Sequence, residues 1–401
     1  MDTLFARQQH LLALTSTEHI RSLMYEIKWD KRLLSIRGSR GVGKTTLILQ
    51  YIKLNYPITT REALYCSLDS IYFSNHTLVE LASQFQLTGG KRLFLDEVHK
   101  YDNWSREVKE IYDSFPELKV VISGSSLLKI LNADADLSRR CRPYLMHGLS
   151  FVEYLEFYHD LRFPSYPLNE LLENAGDICI KVNQQFVPIR EFRNYLQAGY
   201  YPFFDGEDRE EYNLTIENII NFIIDQEIPL LRGIEPGQAR KIKALLRFCA
   251  SSKPYEVDIT RLGRLLELSR PSVLNYLNAL NDAQLLNLLY ADVNSIKKLQ
   301  KPDKIYIQNN NLLQILSYDQ MPEIGTARET FAVQQLMRRH RVEYGKQHGD
   351  FLVDGKWLFE VGGPDKSFSQ IADIPNSYVL SDDLLYPIGA KLPLWLIGLE
   401  K

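Results

Sequence analysis

Cysteine is scarce in this chain. The four residues, Cys66, Cys141, Cys179 and Cys249, form no C-x-x-C pair and have no close histidine partner. That argues against a zinc site or a disulfide framework and fits reduced thiols in cytoplasm. A strong charge imbalance is also missing. The formal net charge is −3, so the chain is not a globally basic nucleic-acid binder, although a local basic stripe is compatible with it. No apolar run approaches transmembrane length. The opening MDTLFARQQHLLALTS has neither the basic start nor the continuous apolar core of a signal peptide. A soluble cytoplasmic protein is expected. Its 401 residues exceed one ordinary core, and about two to four domains are anticipated. A hydrophobic fraction of 45% and a charged fraction of 24% are those of folded globular chains, leaving little room for disorder.

The clearest pattern lies near the start, in RLLSIRGSRGVGKTTLILQYIK. Leu33 to Ile36 reads as a buried strand, and Leu47 to Leu54 as a helix. Between them GSRGVGKTT matches G-x-x-x-x-G-K-[ST] at Gly38, Gly43, Lys44 and Thr45, and strand–loop–helix context is what makes such a match meaningful. Gly38, Gly41 and Gly43 let the backbone curl so that successive N–H groups point inward, forming an anion nest capped by a helix N-terminus. The whole loop, Gly38, Ser39, Arg40, Gly41, Val42, Gly43, Lys44, Thr45 and Thr46, is expected to hold ATP. Lys44 would reach the β- and γ-phosphates and Thr45 would ligate Mg²⁺.

A second acidic element should complete such a site. GGKRLFLDEVHKYDNW supplies an apolar strand, Leu93 to Leu95, that runs into Asp96 and Glu97. Asp96 at a strand end can hold the Mg²⁺ shell, and Glu97 can deprotonate a water for attack on the γ-phosphate. The next strand, LKVVISGSS, ends on Ser123 and Ser125, of which Ser123 is the preferred sensor of the γ-phosphate. Farther on, Arg139, Arg140 and Arg142 are candidates for an arginine that stabilises charge on the transferring group, with Arg140 chosen. Such an arginine usually acts across a subunit interface, which implies a homo-oligomer.

Taken in order, GSRGVGKTT, FLDEVHKYDNW, VVISGSS and LSRRCRPYLMHGLSFVEYLEF resemble prokaryotic AAA-type ATPases that carry a C-terminal domain of unknown function. YLQAGYYPFF from Tyr195, KPDKIYIQNNNL from Lys301, GTARETF from Gly325 and the tail EVGGPDKSFSQIADIPNSYVL extend the likeness over nearly the whole chain. The resemblance implies an α/β P-loop NTPase core with a parallel sheet over residues 1–150 and a helical lid over 151–233. It further implies a winged-helix region over 234–318 and a nuclease-like α/β domain over 319–401. The first third carries the ATP-binding motifs, and the rest names the family rather than an activity.

Two features of the C-terminal half can be read from the residues themselves. DITRLGRLLELSRPSVLNYLNALNDAQLLNLLYAD reads as a helix around Thr260 to Leu266, a turn, and a second helix from Pro271 capped by Ser269. LLNLLY and the stretch through Lys304 would form the hairpin of a wing. Arg261, Arg264 and Arg270 near the recognition face, with Lys297, Lys298, Lys301 and Lys304 on the wing, could contact DNA phosphates. Glu256, Asp258 and Glu267 dilute that charge, and Asn275 and Asn278 are the evident base-reading groups.

The other feature is DFLVDGKWLFEVGGPDK. Glu329 on a helix, then Asp350 and Glu360 on successive strands, follow the order in which PD-(D/E)xK nucleases collect metal ligands. Their lysine would come two residues after the second acid, where this chain has Gly362. Lys356 and Lys366 lie near but out of register, so a relic of a nuclease is expected. The resulting reading is an ATP-binding, Mg²⁺-dependent ATPase acting on double-stranded DNA or a protein partner, away from membranes. A nucleotide-gated switch with negligible turnover and an ATP-controlled nuclease are the alternatives.

Overall fold

The computed structural model describes all residues except 128–134, 205–207, 252–257, 292–300, 318–321 and 401. The side chains of 135, 136, 138 and 347 are likewise outside the description. Lys297, Lys298 and Glu256 therefore lie outside the described residues. The chain divides into two compact units, Met1–Gly148 and Leu149–Lys401.

The first unit opens with α1 (Asp2–Leu14) and α2 (Leu23–Glu26), then alternates strands and helices. These are β1 (Leu33–Gly38), α3 (Lys44–Asn55), β2 (Ala63–Ser67), α4 (Leu78–Leu87), β3 (Arg92–Asp96), α5 (Trp104–Ser114), β4 (Lys119–Ser125), α6 (Ala135–Arg140) and β5 (Arg142–Leu145). All five strands pair in parallel, in the order β2-β3-β4-β1-β5. This is the parallel α/β sheet expected of a P-loop NTPase core.

Helices cover both sides of such a sheet, which is why its strands read as unbroken apolar runs rather than alternating ones. Every residue of β3 is buried. Leu64, Leu93, Leu95, Val120 and Ile122 meet Phe5, Phe85 and Ile111 from the helices in one core. The edge strand β2 is guarded by α1. Gln8 of that helix accepts the Tyr65 N–H at 2.5 Å and donates to the Ala63 carbonyl at 3.2 Å, satisfying backbone groups that an edge leaves open.

The second unit begins with α7 (Phe151–His159), α8 (Leu168–Glu173), α9 (Ala175–Asn183), α10 (Pro188–Ala198), α11 (Arg209–Phe222), α12 (Ile228–Arg232) and α13 (Ala239–Ser251). A helix pair, α14 (Ile259–Leu266) and α15 (Arg270–Asp282), leads into the antiparallel ribbon β6 (Leu286–Leu289) and β7 (Lys304–Ile307). Then come α16 (Asn310–Leu316), α17 (Ile324–Leu336), β8 (Val342–Tyr344), β9 (Phe351–Val353), β10 (Trp357–Gly362), β11 (Ser377–Ser381) and β12 (Lys391–Pro393).

The last five strands form one mixed sheet in sequential order. β8, β9 and β10 run antiparallel, and β11 and β12 add in parallel. Helix α17 packs on β10. The segments expected as lid, wing and terminal domain lie within this single unit. Its main core joins Phe151, Leu155, Phe192 and Tyr195 from the first helices to Phe331, Phe351, Phe359 and Trp395 from the end of the chain.

Candidate functional site

The C-terminal ends of parallel strands are where open α/β sheets leave a crevice for ligands. β1 and β3 both deliver their motifs there. After β1 the chain turns through Gly41 at φ 83° and Gly43 at φ 98°, left-handed values that a side chain resists. Gly43 then caps α3, whose first residues are Lys44, Thr45 and Thr46. Lys44 is buried, and its Nζ donates to the carbonyls of Gly38 at 3.0 Å and Ser39 at 2.9 Å. Among the described residues, the buried Ser39 hydroxyl has no hydrogen-bond partner. The loop is thus a preshaped nest facing a helix N-terminus, which suits an anion of several oxygens.

Asp96 closes β3 and is almost fully buried. Its Oδ2 accepts from Thr45 Oγ1 at 2.6 Å and from the Tyr65 hydroxyl at 2.8 Å. Its Oδ1 accepts from the Glu97 amide at 3.0 Å and from Ser123 Oγ. Glu97 is held at φ 54°, a left-handed conformation that costs a non-glycine residue energy and is typical of functional turns. Its carboxylate lies 3.4 Å from Nε2 of the buried His99. Burial is the main force raising the Glu97 pKa, with Asp96 adding to it and Lys44, Arg40 and Lys100 opposing. A carboxylate poised in this way is better fitted to take up a proton than a solvated one.

Ser125 is buried and accepts from the Leu127 amide at 3.3 Å. Arg140 is engaged within its own chain: it donates to Asp113 at 3.1 Å and stands 5.7 Å from the Tyr112 ring. Arg139 and Arg142 are exposed. Besides His99, two residues near the site escaped the sequence reading. Tyr65 donates to the same Asp96 oxygen as Thr45. The buried Arg21 donates to the carbonyls of Val42, His147 and Gly148 at 2.8, 2.8 and 2.9 Å, fastening the loop to the chain after β5. Neither sits in a local motif, so no spacing signalled them.

Residues 30–155 match the family model for an AAA domain, and residues 189–321 match a domain of unknown function (DUF8612). The chain carries an AAA domain. Two uncharacterized proteins of Methanocaldococcus jannaschii are similar to it. MJ1637 is 27% identical over 287 residues, covering 69% of this chain and 60% of the relative. MJ1544 is 24% identical over 342 residues, covering 80% and 72%. This chain therefore spans about 60% of the length of MJ1637. Among solved structures, Orc1 of Aeropyrum pernix in complex with DNA aligns over 79% of this chain and 92% of its own, with a TM-score of 0.30 and 10% identity. AMPPCP-bound DnaA from Aquifex aeolicus aligns over 69% and 86%, with a TM-score of 0.24 and 14% identity.

In the AAA domain the residues present fit a magnesium nucleotide. Thr45 and Asp96 are hard oxygen donors brought together beside the phosphate nest, as such an ion requires. No helix among the described residues is long and apolar enough to cross a membrane.

Outside the AAA domain, α14 and α15 form a helix–turn–helix. Asp258 Oδ1 caps the first helix through the Thr260 and Arg261 amides, both at 3.0 Å. Ser269 caps the second through the Ser272 amide at 3.2 Å. Arg261, Arg264, Arg270, Asn275 and Asn278 are all exposed.

Glu329 on α17, Asp350 just before β9, and Glu360 on β10 come together, but not as an open metal site. Lys304 faces the first two and Lys366 faces the third. Burial, then Asp350, raises the pKa of both Glu329 and Glu360. Lys356 lies elsewhere, over the Trp357 ring at 4.3 Å. Among the described residues, no group of three or more histidine, cysteine, aspartate or glutamate side chains is arranged to hold a metal ion.

Proposed function

We propose that this chain is a Mg²⁺-dependent ATP hydrolase acting on duplex DNA. One observation carries the hydrolase reading. The hydroxyl that opens α3 donates at 2.6 Å to the carboxylate that closes β3, with Glu97 next in line. Bound Mg-ATP would supply the γ-phosphoryl group for transfer to water.

In that reading the loop from Gly38 to Gly43 surrounds phosphate with amides. Lys44 exchanges its carbonyl partners for phosphate oxygens and neutralises developing charge. Thr45 and Asp96 would hold the metal, and Tyr65 and Ser123 hold Asp96. Glu97 would accept a proton from the water whose oxygen bonds to the γ-phosphorus as the bond from that phosphorus to the bridging oxygen breaks and ADP leaves, and His99 would steady the Glu97 carboxylate.

Arg140 reaches a neighbouring protomer's phosphate only if it leaves Asp113. Differential contacts to the γ-phosphate would bias a two-state change toward the C-terminal half. Exposed arginines on the helix–turn–helix support duplex DNA as what is acted upon, through phosphate contacts.

Glu97→Gln is expected to retain ATP binding within about twofold and to lower phosphate release by on the order of a hundredfold or more. Equilibrium binding of a fluorescent ATP analogue beside a phosphate-release assay checks both. Undiminished release would remove Glu97 from the reaction.

A further inference from the structure

Glu329, Asp350 and Glu360 follow the order in which a metal nuclease collects its ligands, yet among the described residues they are not arranged to hold a metal and a cation is already present. Lys304 opens β7, and its Nζ lies 3.6 Å from Glu329 Oε2 and 3.5 Å from Asp350 Oδ1. The Tyr344 and Tyr306 rings flank the same ammonium, with centroids at 4.9 and 6.0 Å. The residue is 9% exposed.

Further contacts reach the same three carboxylates. Tyr306 donates to Glu329 Oε2 at 2.7 Å, and the Val361 amide donates to Asp350 Oδ2 at 2.9 Å. Glu360 is paired with Lys366. A side chain at Gly362 would collide with the Lys366 stem, its Cβ falling 2.7 Å from both Cβ and Cγ. The glycine that replaces the expected lysine is thus what lets Lys366 fold back onto Glu360. A divalent ion needs several free oxygens at one centre, and these residues do not fit it as they stand.

We propose that the cluster is an internal-cation joint. The Lys304 ammonium occupies the place of a divalent ion and pins the β6–β7 ribbon to the C-terminal sheet. Two observations favour an ammonium over a hydrated metal there. Aromatic faces attract a partly desolvated organic cation, and removing the cation from half-buried, adjacent carboxylates leaves poorly compensated charge. The joint also connects two parts of the unit. Lys304 lies inside residues 189–321, matched to the domain of unknown function, whereas the three acids lie beyond it. Affinity for a divalent ion is then latent, masked by Lys304.

The test is Mn²⁺ titration of the nucleotide-free full chain, following unbound Mn²⁺ by electron paramagnetic resonance. Asp350→Asn should leave the wild-type titration unchanged. Lys304→Met should acquire one additional Mn²⁺ site, about tenfold or more tighter than any wild-type binding. That site should vanish in the Lys304→Met, Asp350→Asn double variant, and Lys304→Arg should not create it. A wild-type Mn²⁺ site that Asp350→Asn abolishes would overturn the proposal, as would a folded Lys304→Met chain that gains none. Should Lys304→Met not fold, the Asp350→Asn comparison decides alone. No nucleotide is used, so this result is independent of whether the AAA domain hydrolyses ATP.

Discussion

Asp96 receives four hydrogen bonds, from Thr45, Tyr65, Ser123 and the Glu97 amide. Only some of that set could be read from the chain. Thr45, Asp96 and Glu97 stand out in the chain because each lies in a local motif whose residue types suit phosphate and metal chemistry. Ser123 was found at the right strand end, but its hydroxyl goes to Asp96. Tyr65 comes from a neighbouring strand, and its contact depends on the parallel register that sets Ser67 beside Asp96. No local pattern encodes that register.

Burial and Asp96 together keep the Tyr65 phenol protonated, well above its ordinary range, so it remains a donor. Tyr65→Phe should leave ATP binding unchanged and raise the Mg²⁺ concentration needed for half-maximal phosphate release. The rate at saturating Mg²⁺ should fall by roughly tenfold, the scale of one hydrogen bond to a charged group. A Mg²⁺ titration of release reads this. An unchanged Mg²⁺ requirement would reduce Tyr65 to packing.

Among the elements, punctuation was easier to read than destination. Ser269 and Pro271 marked the start of α15, and the helix begins there. Asp354 and Gly355, at φ 53° and 66°, form the tight turn between β9 and β10. Helices α7 to α10 carry apolar faces, but such a face says only that it is buried. Their shared core with the terminal sheet follows from residues more than a hundred positions away, beyond the reach of periodicity.

A polar tie at the end of α17 yields a pH prediction. His340 follows that helix and lies between Asp354 at 2.6 Å and Glu400 at 2.8 Å. The hydrogen bond to Glu400 raises its pKa, Asp354 adds to this, and burial opposes. A raised histidine pKa contributes stability that is full below the unfolded value of about 6.5. That contribution disappears as pH rises through the higher folded value. The melting temperature should therefore drop by roughly 1–2 °C across that window, and His340→Gln should flatten this step. Differential scanning calorimetry at closely spaced pH values checks it. A wild-type step that survives His340→Gln would assign it to another group.

For the whole molecule, the family resemblance carried by the strand–loop–helix and acidic-strand motifs implies a parallel α/β core, and the sheet order β2-β3-β4-β1-β5 supplies it. The C-terminal half was harder to read. Its acidic positions were visible, but the cation that meets them, Lys304, comes from a strand expected to serve as a wing. Charge pairs of this kind arise from tertiary placement and leave no spacing in the chain.

The phosphate-loop motif lies in Met1–Gly148, and the exposed arginines of α14 and α15 lie in Leu149–Lys401. The most direct measurement is steady-state phosphate release from Mg-ATP by the full chain beside Lys44→Ala, each with and without duplex DNA. Wild type should turn over ATP, release should rise with DNA, and Lys44→Ala should abolish it. Release that persists in Lys44→Ala, or no release from a wild-type chain that binds ATP tightly, would contradict hydrolysis at this site.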